Sequence, residues 1–500
     1  MSPSSVARTE SRADARLDSS PVTLAWVLAF AMSVRILYAL GAWLLSRDAS
    51  VFYGMDSGSY ITPARELLSH GTFTNGGRPE LQRTPGFPLM LVPGVWLGYL
   101  TLTTIALNIL LSTSTVGAVY LLARRVFTEH RIAVTAAVLY AVEPLSVGYV
   151  AAISTETLFT AIVTWALVPV VGYIRDRRPS LLLLGMAMLA AAAYVRPVGY
   201  FLPFALLLLL GLVALLRRTP RQLPHLALAA VLTLGILLPW ELRNRRLGFP
   251  GFSAVSAVNM YFYNGAAVRA AVAGTSFARM QAEMGFGKEE VYLRNHPEQR
   301  TWRPGERFEY MGHQGTRLVR EHLRLYAGIH LKGMMRVLLD PGAIDLLKTF
   351  RLYPMSGGLL DRIVTNGLGD ALRHLFREHP VAAFSLVGLG LVLLAIYAAA
   401  LRGLLTNRHF TDPTVVLLVG VIAYFVVISG GPGESSRFRH PVMPLVCVLA
   451  AAGVHARRQR AGGQSAAPTG TLADRSSGAG PAETHSAASR SPNASWSPAA

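Results

Sequence analysis

Long apolar runs recur along this 500-residue chain and limit its possible folds more than any other feature. Many are about 17 to 25 residues long, enough for a helix rising 1.5 Å per residue to cross roughly 30 Å of hydrocarbon. Hydrophobic residues make up 52% of the chain and charged residues only 15%, more apolar than a water-soluble core requires. We therefore predict an all-α polytopic membrane protein.

The apolar runs predict about ten transmembrane helices. These predicted spans are 22–45, 100–123, 131–151, 156–174, 180–195, 199–216, 224–240, 381–401, 413–430 and 440–456. The corresponding organisation is a disordered leader (1–21), a transmembrane core (22–240) with a first outer loop (46–99), a mixed outer region between spans seven and eight (241–380), spans eight to ten (381–456) and a disordered tail (457–500).

Arginines are distributed unevenly between the short connections. Connections on one side carry clusters such as Arg124-Arg125 and Arg457-Arg458, whereas those on the other side carry only Arg196, Arg437 and Arg439. Positive charge is retained on the cytoplasmic side of a membrane. We therefore expect a plasma (inner) membrane protein with both termini in the cytoplasm and with 46–99 and 241–380 on the opposite side.

The formal net charge of +19 does not indicate a nucleic-acid partner, because the basic residues are not gathered in one soluble patch. The single cysteine, Cys447, lies in an apolar run, which excludes disulfides and cysteine-based metal sites. From Arg317 to Val337, basic and apolar residues recur at helical spacing. We expect one basic amphipathic helix there, which either lies on the outer leaflet or packs against the rest of the outer region.

Ionisable residues gather beside the predicted spans on the outer side, where each needs a partner or a function. The first outer loop contains Asp56, Tyr60 and Arg83. The other outer turns contribute Glu143, Glu156, Arg196, Arg243, Arg437, Arg439 and His440. Guanidiniums suit a phosphate or diphosphate at the headgroup level, and a carboxylate beside them suits general-base chemistry. Taken singly, each residue could equally be a satisfied ion pair, and Asp56 a turn or N-cap aspartate.

Several of these motifs resemble the membrane glycosyltransferases of the GT-C superfamily. Asp56-x-x-x-Tyr60 precedes a short helix ending in His-Gly-Thr-Phe, and Arg-Thr-Pro-Gly-Phe-Pro follows from Arg83. Later matches are Glu143-Pro144, Ser154-Thr155-Glu156, Val195-Arg196-Pro197, Pro239-Trp240-Glu241-Leu242-Arg243-Asn244 and Arg437-Phe438-Arg439-His440-Pro441. The resemblance covers about residues 22 to 456. It is greatest to family 39 and its relatives, the protein mannosyltransferase-like and aminoarabinose-transferase-like proteins.

The resemblance implies an inverting glycosyltransferase that moves a sugar from a polyprenyl-phosphate carrier to a lipid, glycan or protein acceptor on the non-cytoplasmic face. It implies that Asp56 is the catalytic base or positions the acceptor, and that Arg243, Arg437 and Arg439 bind the carrier phosphate.

Ser57 stands where the protein mannosyltransferases carry a second acidic residue, which weakens the expectation of a protein acceptor and of a divalent metal. Glu143 and Glu156 could supply two metal ligands, but there is no obvious third. We therefore expect no metal and no cofactor.

Two other functions remain open. An O-antigen-ligase-like or polymerase-like enzyme also combines many spans with an outer loop bearing Arg and His, but its donor is linked through a diphosphate. A transporter or flippase of lipid-linked sugars would be favoured by inverted repeats and by Gly or Pro breaks at matching mid-membrane positions, and neither is clear here. The charged residues gather at one face, with Arg35, about mid-span in the first helix, as the exception. A purely structural role leaves the outer basic cluster unexplained.

Overall fold

The computed structural model describes residues 21–354, 368–406, 411–433 and 436–463. Within these ranges the regular structure is helical apart from one hairpin of β1 (Thr74–Asn75) and β2 (Arg78–Pro79), in which Thr74 pairs with Pro79 and Asn75 with Arg78. The chain divides into two units, Met1–Arg457, which holds the helices that position the site, and Arg458–Ala500. The protein is an all-α polytopic membrane protein, as predicted.

The α-helices are numbered in chain order. The first ten are α1 (Pro21–Ser46), α2 (Ser57–His70), α3 (Gly86–Trp96), α4 (Leu100–Phe127), α5 (His130–Ala141), α6 (Pro144–Gly148), α7 (Glu156–Asp176), α8 (Pro179–Val195), α9 (Leu202–Leu216) and α10 (Leu223–Arg246). The others are α11 (Val255–Val258), α12 (Ala266–Ala273), α13 (Phe277–Met284), α14 (Glu289–Asn295), α15 (Pro304–Glu321), α16 (Leu323–Leu339), α17 (Ala343–Thr349), α18 (Leu368–Glu378), α19 (Pro380–Leu405), α20 (Pro413–Ile428) and α21 (Met443–Gly463).

Seven helical segments of the described residues are long and apolar enough to cross a membrane, and each coincides with a predicted span. They are Val22–Ser46, Leu100–Phe127, Glu156–Asp176, Pro197–Leu216, Pro220–Arg246, Pro380–Leu405 and Ser436–Ala456. The predicted span 131–151 is a helix pair bent by 54°. The predicted spans 180–195 and 413–430 correspond to α8 and α20, which at 17 and 16 residues extend only about 25 Å. The count of ten crossings stays a prediction.

The predicted leader and tail lie almost entirely outside the described residues. The described part of the chain begins at Pro21, and α21 continues to Gly463, past the predicted end of the last span.

The bend between α5 and α6 is stabilised by two buried charged side chains. Glu143 accepts a hydrogen bond from the main-chain N–H of Ser146 at 2.6 Å and so caps α6, whose first residue is Pro144. Arg35 of α1 donates to the carbonyl of Ala141, at the end of α5, at 3.0 Å and to Ser146 Oγ at 3.3 Å. A helix break among apolar helices needs such partners, because unsatisfied backbone groups are costly there. Arg35 therefore has a structural role.

The outer region is built from helices wherever the structure describes it, in 241–354 and 368–380. The mixed region of the prediction is thus a set of short helices with one π-helical turn, Asn259–Gly265. The prediction of a single helix over 317–337 is wrong, because α15 and α16 are separated at His322, whose φ of −123° is not helical. A Cβ added at Gly315 of α15 would collide with the carbonyl of Met260, so α15 packs within the region, the second of the two predicted alternatives.

The first outer loop folds back against two later turns. The hydroxyl of Ser57, at the start of α2, donates to the carbonyl of Ile153 at 2.7 Å. At the other end of the loop, a Cβ added at Gly86 would lie 2.7 Å from the carbonyl oxygen of Tyr194, an approach that only glycine allows. The loop that carries Asp56 is therefore held beside the turns that precede α7 and follow α8.

Candidate active site

Asp56 lies between two arginines from distant parts of the chain. Its Oδ1 accepts a hydrogen bond from Arg83 Nη2 at 2.8 Å, and its Oδ2 accepts one from Arg437 Nη1 at 2.8 Å. Arg83 belongs to the turn before α3, and Arg437 to the 3₁₀ turn Ser436–Val442 before α21. Charge-assisted hydrogen bonds of this kind are stronger than neutral ones. The structure thus brings together three of the residues predicted for the site.

Arg437 also connects Asp56 to a second carboxylate. Its Nε donates to Glu156 Oε1, which accepts a further hydrogen bond from Arg196 Nη1 at 2.8 Å. The Glu156 side chain is 0% exposed and that of Arg196 9%, whereas that of Asp56 is 36% exposed. Glu156 and Arg196 therefore form the buried floor of the cluster, and Asp56 lies at its open rim.

We call these five residues the Asp56 cluster: Asp56, Arg83, Glu156, Arg196 and Arg437. Three guanidiniums and two carboxylates give the cluster a formal charge of +1. The two carboxylates offset two of the three guanidiniums, so one formal positive charge remains to attract an anionic group that reaches Arg437 or Arg83. The arrangement can bind an anion and offer a carboxylate beside it.

Asp56 precedes α2 but does not cap it. Its side chain makes no capping hydrogen bond to the helix N-terminus, and its backbone is helical, with φ −89° and ψ −12°. The carboxylate points instead at the two arginines. The alternative that Asp56 is an N-cap aspartate is therefore wrong.

The first turn of α2 positions Arg83. Arg83 Nε donates to Ser59 Oγ at 2.9 Å, and Arg83 Nη1 donates to the hydroxyl of Tyr60 at 3.2 Å. The guanidinium carbon of Arg83 also lies 4.7 Å from the centre of the Tyr60 ring, within the range of a cation–π interaction. Tyr60 therefore orients an arginine of the site, while its own side chain is buried.

Opposing effects act on the pKa of Asp56. Burial raises the pKa, but the charges and hydrogen bonds of Arg437 and Arg83 lower it more, so that the pKa lies below its ordinary value. Asp56 is therefore ionised at neutral pH, in the form that can accept a proton.

The depressed pKa of Asp56 predicts a specific pH dependence. Only the ionised carboxylate accepts a proton, so for a reaction in which Asp56 is the general base the acid limb of kcat/KM is expected below about pH 3.9, the ordinary pKa of aspartate. Arg83→Gln removes one of the charges that lower the pKa and is expected to move the limb to higher pH. Arg65→Gln, which changes an exposed arginine on α2, is the control and should leave it in place. An unchanged limb in Arg83→Gln would show that another group titrates.

Arg243, at the end of α10, contacts the hairpin side of the first outer loop. Its Nη1 donates to the carbonyl of Glu80 at 2.6 Å and its Nη2 to the carbonyl of Phe73 at 3.1 Å. Its guanidinium carbon lies 4.6 Å from the centre of the Trp240 ring. These contacts attach the loop to α10, and the role of Arg243 in carrier binding stays a prediction.

Arg439 is buried behind Arg437. Its Nη1 donates to three main-chain carbonyls at and just after the end of α16, those of Val337 (2.9 Å), Leu338 (3.2 Å) and Asp340 (2.6 Å). Helix C-termini leave carbonyls without intrahelical partners, and a guanidinium satisfies several at once. In this arrangement Arg439 connects α16 to the turn that carries Arg437.

His440 and Glu143 are also buried and contact other parts of the protein. His440 Nδ1 lies 2.9 Å from Thr160 Oγ1, and its ring centre lies 5.0 Å from that of Tyr149. Glu143 caps α6 at the helix bend, as described above. The contacts of both residues therefore lie outside the Asp56 cluster, and their direct role in substrate binding stays a prediction.

Two residues that contribute to the site were missed in the sequence. Ser59 could not be recognised in the sequence, because a serine in a first helical turn is ordinary. Its hydroxyl oxygen nevertheless accepts a hydrogen bond from Arg83 Nε. Asp340 accepts hydrogen bonds from the main-chain N–H groups of Gly342 at 2.9 Å and Ser436 at 3.1 Å, which fixes the start of the Arg437 turn. The tripeptide Asp340-Pro341-Gly342 is a turn signature that could have identified it.

The described residues contain no group of three or more His, Cys, Asp or Glu side chains that could hold a metal ion. The two carboxylates of the Asp56 cluster accept hydrogen bonds from arginines, whose positive charge opposes a cation at the same oxygens. The expectation of a metal-independent site stays a prediction.

A family comparison matches the middle of the chain. Residues 89–241 match the model of a family described as dolichyl-phosphate-mannose-protein mannosyltransferase. The matched stretch contains Glu143, Glu156 and Arg196, begins after Asp56 and Arg83, and ends before Arg243.

Solved structures similar to this chain include two GT-C glycosyltransferases. The oligosaccharyltransferase AglB from Archaeoglobus fulgidus, in complex with an inhibitory peptide and a dolichol-phosphate, is 14% identical with a TM-score of 0.43, over 89% of this chain and 52% of that one. ArnT from Cupriavidus metallidurans, bound to undecaprenyl phosphate, is 18% identical with a TM-score of 0.37, over 89% of this chain and 81% of that one. The chain thus spans about half the length of AglB. Comparison with curated protein sequences finds no match.

Proposed function

We propose that this protein is an inverting glycosyltransferase that moves a sugar from a polyprenyl-phosphate carrier to an acceptor on the non-cytoplasmic face of the plasma membrane. The observation that carries the proposal is the partly exposed carboxylate of Asp56 held between Arg83 and Arg437 in a cluster of formal charge +1. The description of the family that residues 89–241 match, which names a dolichyl-phosphate sugar, supports a carrier of this chemical class.

In the proposed reaction, an acceptor hydroxyl or amine attacks the anomeric carbon of the donor sugar on the face opposite the carrier phosphate. The new bond to the acceptor forms as the bond between the anomeric carbon and the phosphate oxygen breaks, which inverts the configuration. Asp56 takes the proton of the acceptor. Arg437 and Arg83 stabilise the charge that develops on the departing polyprenyl phosphate.

Glu156 and Arg196 have a supporting role in this proposal. Because Glu156 is fully buried and accepts from both Arg437 and Arg196, it fixes the direction in which the Arg437 guanidinium points. A preorganised guanidinium stabilises developing charge without first having to reorient.

The proposed side of the membrane rests on two independent observations. The arginine distribution assigns the connections that carry the Asp56 cluster to the non-cytoplasmic side. The contacts among Asp56, Glu156 and Arg437 require that these connections share one side. A transporter is less favoured, because the mid-span charge of Arg35 is engaged at the helix bend.

The proposal is tested by presenting the purified protein, in liposomes with a cell-envelope fraction, with radiolabelled hexoses and pentoses on two carriers. We expect transfer of label from the polyprenyl monophosphate sugars and none from the corresponding polyprenyl diphosphate sugars. Liposomes without the protein are the control. Transfer only from diphosphate-linked donors would contradict the proposal and favour the ligase-like alternative.

A further inference from the structure

A cavity of about 450 Å³ lies between the hairpin of the first outer loop and the outer region. Its volume is within the range of about 300–1,000 Å³ typical of small-molecule sites. Its lining comes from 75–82 and from 258–311, so none of it belongs to the candidate membrane spans. The cavity therefore faces the water-exposed part of the protein rather than the hydrocarbon.

A Gly285-Phe286-Gly287 turn presents an aromatic ring at this cavity. Both glycines have a positive φ, +90° and +70°, a backbone conformation that residues with a side chain rarely adopt. A Cβ added at Gly285 would collide with the main-chain nitrogen of Tyr292, so the turn is packed tightly against α14. Phe286 is 37% exposed, and its ring centre lies 5.5 Å from that of Phe262, which also lines the cavity. The turn thus holds the accessible ring of Phe286 against the ring of Phe262.

Polar groups complete the rim of the cavity. Glu289 bridges the two walls, since it accepts from Arg307 of α15 at 2.7 Å and pairs with Arg78 of the hairpin at 3.2 Å. Glu80 accepts from Asn75 Nδ2 at 2.9 Å. The carboxylate of Glu289 is paired with the guanidiniums of Arg307 and Arg78. These side chains therefore offer hydrogen bonds to a ligand without a strong net electrostatic field. An accessible aromatic ring beside such a rim suits a pyranose or furanose, which has an apolar face of C–H groups and an edge of hydroxyls.

The cavity is connected to the Asp56 cluster by a short piece of backbone. Glu80 Oε1, at the cavity wall, accepts hydrogen bonds from the main-chain N–H groups of Gln82 at 2.6 Å and Arg83 at 2.9 Å. Arg83 then contacts Asp56 through its guanidinium. Glu80, at the cavity wall, is therefore only three residues along the chain from Arg83 of the Asp56 cluster. A ligand that orders this wall binds close to that arginine in sequence.

We propose that this cavity is a saccharide-binding subsite for the acceptor, with Phe286 as the ring on which a sugar unit stacks. The proposal rests on the proposed glycosyltransferase function and specifies a carbohydrate acceptor for it. The phosphate of the donor lipid is expected at Arg437, which does not line the cavity.

The test measures binding rather than turnover. Methyl glycosides of glucose, galactose, mannose, arabinose and N-acetylglucosamine, together with maltose and lactose, are titrated into the full-length protein in detergent and followed by saturation-transfer NMR. We expect at least one of them to bind the wild type. Phe286→Ala is expected to raise its dissociation constant by about tenfold, because the apolar stacking surface is lost, while Phe286→Tyr keeps the ring and stays within about twofold.

Phe277→Ala is the matched control. Phe277 belongs to the same aromatic cluster, with its ring centre 6.3 Å from that of Tyr263, but it does not line the cavity, so glycoside binding should be unchanged. Asp56→Asn should also bind normally, which separates failure of the subsite from failure of the transfer chemistry. The proposal is overturned if no saccharide binds, if Phe286→Ala binds as the wild type does, or if a Ser/Thr-rich peptide binds in place of the saccharides.

Discussion

Asp56→Asn is expected to lower sugar transfer by about 10²–10⁴-fold, the usual contribution of a positioned general base. An asparagine preserves the size of the side chain, and its single carbonyl oxygen can accept a hydrogen bond from one of the two arginines, but it cannot take up the acceptor's proton. The measurement is the initial rate of transfer by purified protein in liposomes, with protein level and thermal unfolding followed in parallel. We expect the rate to fall while the amount of folded protein stays the same.

Asp48→Asn is the matched control for this substitution. Asp48 lies in the same outer loop, pairs with Arg351 and accepts from the main-chain N–H of Ser50 at 2.8 Å as the N-cap of a short 3₁₀ turn. Because asparagine caps helices as well as aspartate does, activity should remain near that of the wild type. Wild-type transfer by Asp56→Asn, or equal losses in both variants, would remove Asp56 from the mechanism.

Arg437→Met is expected to cause the largest combined loss of stability and activity. The substitution leaves Asp56 with Arg83 alone and the buried Glu156 with Arg196 alone. Breaking a buried ion pair typically costs about 3–5 kcal/mol, and we expect the low end of that range here because Arg196 remains. Transfer should fall by at least about 100-fold, since a guanidinium that faces the leaving phosphate is lost. Thermal unfolding and initial rates are measured on the same preparations.

A second variant separates the two effects of Arg437. In the triple variant Arg437→Met, Glu156→Gln and Arg196→Met, no uncompensated buried charge remains, so most of the lost stability should return while transfer stays low. Arg279→Met is the control, because Arg279 forms an exposed pair with Glu283, and such pairs contribute about 0–1 kcal/mol. If the triple variant regained transfer together with stability, Arg437 would have only a structural role.

The long helices could be predicted from the sequence because apolar length is a property of the chain itself. The break at His322 could not, since it depends on what α15 and α16 pack against. A Cβ added at Gly333 of α16 would collide with the backbone of Gly431, a contact between residues far apart in sequence. The bend between α5 and α6 was likewise not predicted. The pair Glu143-Pro144, an N-cap followed by a proline, does mark the start of a helix and could have indicated it.

The members of the site could be predicted better than their contacts. The outer position of Asp56 and Arg83 followed from composition and topology, and both lie in the cluster. Arg437 and Arg439 looked equivalent in the sequence, but two residues apart in a 3₁₀ turn they point in different directions. Arg437 reaches Asp56, and Arg439 reaches the carbonyls of Val337, Leu338 and Asp340. Spacing alone does not say which arginine faces the carboxylate.

The most direct test of the central claim, that the Asp56 cluster receives the carrier phosphate, is a cryo-electron microscopy map of the full-length protein with polyprenyl phosphate. We predict phosphate density within hydrogen-bond distance of the Arg437 guanidinium and beside Asp56, with the polyprenyl chain running along the apolar helices. Phosphate density at a position remote from both Asp56 and Arg437 would contradict the account.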